Sequence, residues 1–148
     1  MVILILIFKG FLAALLGTIV MTVGQEIEMR MSGRSISHTP AIAVFKILKF
    51  NFNKLSKLEK GIASYTAHFA YGTAFGLVIA ILYLIGFKSF SAIGVVYFLV
   101  VWIQGLIVVP FLGIVGPPWT WGSETLITEF VHKAIYAVAT TAIFLSLL

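Results

Sequence analysis

Residues 123–136 read SETLITEFVHKAIY and bring two carboxylates, an imidazole and an ammonium to the head of an apolar run. At helical spacing Thr125, Glu129, His132 and Tyr136 fall on one face. Lys133, four residues after Glu129, can pair with it. Side chains of these types can hold helices together through hydrogen bonds and ion pairs, move protons or ions, ligate a metal, or act as general acid and base. Ionisable groups at membrane depth are costly and turn toward protein or water rather than lipid. The rest of the chain must therefore supply partners.

Candidate partners recur in the other apolar runs: Glu26 in the first, His68 and Tyr71 in the second, Gln104 in the third. At about 1.5 Å per helical residue, His68, Gln104, Glu129 and His132 lie at similar depths, roughly 9 to 13 Å from one surface. Glu26 is nearer that surface, while Tyr71 and Tyr136 are deeper. The far half of the bundle reads as almost wholly apolar. The set Glu26, His68, Tyr71, Gln104, Glu129, His132 and Tyr136 is thus a candidate intramembrane polar cluster.

The simplest role for it is structural: Glu129 paired with Lys133 or a histidine, Gln104 bridging helices, and tyrosines completing the set. Carboxylate and imidazole chains also mark proton and ion paths, although the apolar far half offers no through-route. His68 and His132, on different helices at matched depth, fit bis-histidine ligation of haem b. Glu129-x-x-His132 is half of a carboxylate-bridged metal motif. The second ExxH is missing, and there is no CxxCH for covalent haem. No nucleophile motif or phosphate loop accompanies the Glu–His pair. No cofactor is therefore assigned, and an enzyme is the less favoured reading. His38, in SISHTP, reads as a solvated loop residue.

The elements that must position these groups follow from composition. Of 148 residues, 61% are hydrophobic and 10% charged, and the mean hydropathy is +1.12. A soluble domain carries about 25% charged residues, so this is an integral membrane protein in one domain, residues 1–148. Cys is absent, which excludes disulfides and thiolate metal sites. The pattern predicts an all-α polytopic protein with four spans, about 3–31, 57–86, 90–112 and 123–148.

The first span lacks a preceding positive residue and a small-residue cleavage site, so it reads as retained rather than as a signal peptide. Its Gly10, Ala13, Ala14 and Gly17 suit close helix packing, and Gly33 should cap it. Ser56 and Glu59 form a capping box for span 2, in which Gly72 and Gly76 make a GxxxG. Pro110 falls in the last turn of span 3. The glycines and prolines of GIVGPPWTWG forbid helix, its tryptophans suit the interface, and Ser123 should cap span 4.

The basic connection 34–56 contains one short amphipathic helix, with Thr39 as cap and Pro40 at its first position. It either lies in the interface, with Lys46, Lys49, Lys54 and Lys57 at lipid headgroups, or forms a lid across the bundle mouth. The positive charge of +5 therefore points to lipid rather than nucleic acid. Seven basic residues flank the side of segment 33–60, against Lys9 and Lys88 on the other. That asymmetry predicts a cytoplasmic basic loop, with both termini outside an inner membrane.

AHFAYG in span 2, WIQGLIVVPFLGIVGPP after it, and SETLITEFVHKAIY together resemble the YagU-like family of small bacterial inner-membrane proteins. The likeness rests on the order of these motifs over residues 64–136. It implies a four-span helical protein without an assigned activity, with His68, Glu129 and His132 as the positions carried over. It also implies termini inside the cell, opposite to the charge count, which is the reading kept here. Without a complete catalytic or through-membrane motif, the expected function is a non-enzymatic accessory or assembly subunit associating with lipids and with other membrane subunits or itself. The alternatives are a proton-coupled or ion-handling transporter and a haem- or metal-binding bundle.

Overall fold

The computed structural model describes all 148 residues, Met1–Leu148, and contains helices and no strands. The helices are α1 (Val2–Ser32), α2 (Thr39–Ile47), α3 (Lys57–Ala74), α4 (Gly76–Leu84), α5 (Phe90–Phe111) and α6 (Ser123–Ser146). Four segments are long and apolar enough to cross a membrane: α1, α3 with α4, α5, and α6. This is an all-α, multi-pass architecture.

The first helix is the axis of the bundle. It packs against α3, α4 and α6, while α5 packs on α6 and α2 on α3. The small-residue face explains why. Gly10, Ala13, Ala14 and Gly17 are all buried. At Gly10 the backbone of α1 meets the backbone of α4 at Gly76, and a Cβ on either glycine would collide with the other chain. Gly17 receives Thr140 of α6, and Gly72 of α3 receives Thr18. The GxxxG pair therefore faces α1. Gly33 ends the helix in the left-handed conformation, φ 71°, where glycine carries no Cβ penalty.

Span 2 was expected to run unbroken to Gly86. It breaks at Phe75, whose N–H bonds the Gly72 carbonyl at 3.2 Å in the tighter i→i−3 pattern, and its helix ends at Leu84. Gly72 and Gly76 bracket the break, and glycine weakens a helix by about 1 kcal/mol per residue. The Gly72 carbonyl also accepts from a side chain of α6. Below it α4 reaches α5; above it α3 and α5 have no packed interface.

Several ends differ from expectation. Ser123 is the first residue of α6 rather than its cap; Gly122 takes that place, without a side-chain bond. Thr39 is likewise already helical, with His38 in the cap position. Pro118–Thr120 forms one 3-10 turn inside the loop expected to exclude helix, because a single such turn tolerates proline at its start. The capping box at Ser56 and Glu59 is present with both bonds, and Ser89 caps α5 through Ala92 N–H.

The short helix lies over the bundle mouth, as a lid. Its Lys46 ammonium donates to the Gly113 carbonyl at 3.1 Å, across the mouth. Lys46 is itself exposed, and this bond ties α2 to the loop after α5. Lys49, Lys54 and Lys57 are exposed. Phe45 packs edge-on against Phe50 and Phe52, folding the connection after α2 back on itself. His38, expected in solvent, bonds Ser64 on α3 at 2.7 Å and anchors the other end of the lid.

Candidate functional site: a roofed intramembrane cavity

The gap between α3 and α5 is a cavity of about 500 Å³. The inner wall comes from α1 and α6, the flanks from α3 and α5, and the roof from α2. Five of the seven candidate cluster residues line it: Glu26, His68, Tyr71, Gln104 and Glu129. His132 and Tyr136 do not. Aliphatic side chains of the roof and of the end of α5, including Val44, Ile47, Val109 and Leu112, line the mouth. Arg34, Ser37 and Thr39 of the connection line it as well, so the lining mixes polar and aliphatic groups.

Each polar group is placed by its helix and held by a neighbour. Tyr71 donates to the side-chain oxygen of Gln104, the one polar bond joining α3 to α5. Glu26 accepts from Tyr65, one helix over. Lys133 pairs with Glu129 at 3.7 Å, the i,i+4 contact that the spacing required. His68 Nε2 lies 3.2 Å from the Thr22 hydroxyl. Thr22 spends its only hydroxyl proton on the Thr18 carbonyl at 2.7 Å. The imidazole must therefore donate from Nε2, which leaves Nδ1 of the neutral ring as an acceptor. Nδ1 has no protein partner, and neither does the amide nitrogen of Gln104.

His132 takes another direction. It is buried in the α1–α6 interface with Nε2 4.0 Å from Glu28, and Glu28 holds Arg34 at 2.5 Å. The hydrogen bond to Glu28 raises the proton affinity of the Arg34 guanidinium further. Glu28 was absent from the sequence-derived cluster. Its signal was the run Glu28, Ser32 and Arg34, in which Ser32 also donates to the carboxylate at 2.9 Å. Because Glu28 lies two residues after Glu26, it points about 200° around the helix from it, toward α6.

Tyr136 acts deeper, donating to the Gly72 carbonyl at 2.6 Å and accepting from Tyr97 at 2.7 Å. Both tyrosines are buried. The far half of the bundle is less apolar than expected. Thr18, Thr140 and Thr141 are also fully buried there, and the hydroxyls of Thr140 and Thr141 have no partner. Threonine counts as neutral in hydropathy, so these hydroxyls, two on α6 and one on α1, leave an apolar pattern unbroken.

The same geometry separates the ligand readings. No three His, Asp or Glu side chains converge as a metal site requires. Glu129 pairs with Lys133, and His132 lies 4.0 Å from Glu28. His68 lines the cavity and His132 does not, so the two imidazoles do not face one another across it. Among the lining groups without protein partners are the His68 Nδ1 acceptor, the Gln104 amide donor and the indole N–H of Trp102. Comparison with protein-family models, curated proteins and solved structures gives no match.

Proposed function

We propose that this chain is a non-enzymatic integral membrane protein that holds a small amphiphile in the roofed cavity and serves a larger membrane process as an accessory component. One observation carries the reading: a cavity of about 500 Å³ between helices that do not pack together, lined by both hydrogen-bonding and aliphatic side chains. An empty apolar gap of that size would be filled by side-chain repacking or by lipid. Polar groups without protein partners in its lining favour a ligand with a head and a tail. Membership of the YagU-like family is proposed on motif order alone. On the charge count we place the basic loop in the cytoplasm of a cell bounded by an inner membrane.

Gly105 provides the test. It lines the cavity, and a Cβ there meets nothing within 4 Å. Gly105→Leu therefore projects an aliphatic side chain into the space a ligand would occupy. Native mass spectrometry of the wild type released from membranes should reveal a retained small molecule that Gly105→Leu lacks. Equal lipid content in the two proteins would overturn the reading.

A further inference from the structure

Resting on that reading, we propose that the occupant has an uncharged head that presents a hydroxyl beside a second oxygen, as a quinol or a monoacylglycerol does. Four charged side chains line the cavity: Arg34, Lys133, Glu26 and Glu129. They sum to zero. Each cation is already engaged, Arg34 by Glu28 and Lys133 by Glu129. The remaining charge, Glu26, is negative and held by Tyr65. A phosphate head would find no uncommitted cation and would face a carboxylate, so an anionic phospholipid is disfavoured.

The uncommitted groups specify the head. His68 Nδ1 accepts, because Nε2 is committed as a donor to Thr22. It therefore selects a ligand hydroxyl. The Gln104 amide donates, because its oxygen is taken by Tyr71, and selects a ligand oxygen. Acceptor and donor line the same cavity, His68 from α3 and Gln104 from α5, with Tyr71 joining the two helices. A head with two oxygens can meet both. The tail leaves toward Val44, Ile47, Val109 and Leu112, the aliphatic part of the lining.

The protein is reconstituted in nanodiscs doped separately with decylubiquinol, monoolein or phosphatidylglycerol, and bound lipid is read by native mass spectrometry. Decylubiquinol or monoolein should be retained by the wild type and lost in Gly105→Leu. Retention should fall about tenfold in His68→Phe, which keeps the ring and removes the acceptor, the effect of one hydrogen bond. Gln104→Leu, on another helix, should give a similar fall and guards against misfolding of either variant. Whichever neutral lipid depends on Gly105 identifies the source of the head. If phosphatidylglycerol is the lipid displaced by Gly105→Leu, the uncharged head is wrong while the cavity reading stands. Retention that ignores both His68 and Gln104 has the same meaning. If no lipid depends on Gly105, both readings fall.

Discussion

Tyr136 ties α6 to the backbone of α3. The Gly72 carbonyl accepts from the Phe75 N–H at 3.2 Å and from the Tyr136 hydroxyl at 2.6 Å. Tyr136→Phe leaves that buried acceptor short of a bond and strands the Tyr97 hydroxyl. The expected cost is about 1 kcal/mol, between the small average for interhelical bonds in membranes and the penalty for an orphaned buried group. Thermal unfolding in nanodiscs measures it, and an unchanged midpoint would refute the role. The i,i+4 spacing made Tyr136 legible as a cluster residue. Its partner was not legible, because a backbone carbonyl has no letter. Glu28 escaped for a related reason: which of two nearby glutamates meets α6 depends on the rotation of α1 about its own axis.

Among the elements, two glycines separate a packing role from an open one. Gly76 lies against the backbone of α1, where a methyl group has no flexible atom to displace. Gly105 faces the cavity, with open space beyond it. Gly76→Ala should therefore destabilise the bundle by about 1–3 kcal/mol, the usual cost of overpacking. Gly105→Ala should be neutral or slightly stabilising, since alanine favours helix. Unfolding of the two variants in the same detergent compares them directly, and equal effects would contradict the assignment. The four spans were readable from hydropathy, and the small-residue face from its spacing. The position of α2 was not: an amphipathic pattern fits the interface and a lid equally well. What fixes α2 against the bundle is a pair of long-range bonds, His38 to Ser64 and Lys46 to the Gly113 carbonyl.

For the whole molecule, the distribution of charge fixes the expected orientation. Lys9 donates to the Leu148 carbonyl at 3.5 Å, so the first helix and the chain's last residue share one end, opposite the basic connection. The absence of cysteine allows single reporters to be introduced. Lys54 and Lys88 are exposed at opposite ends. In intact cells an impermeant maleimide should label Lys88→Cys and leave Lys54→Cys unlabelled until lysis. The reverse pattern would place the termini inside, as the YagU-like resemblance implies.

The most extensive helix contact joins α1 to α6, two spans separated by both of the others along the sequence. During synthesis the grooves at Gly10 and Gly17 thus enter the bilayer before α6 does, and the groove at Gly17 waits for that helix. For that interval, half of the principal seam lies open to whatever else is being inserted nearby. A chaperone or sister helix could occupy it only transiently, since the arrival of Thr140 claims the space.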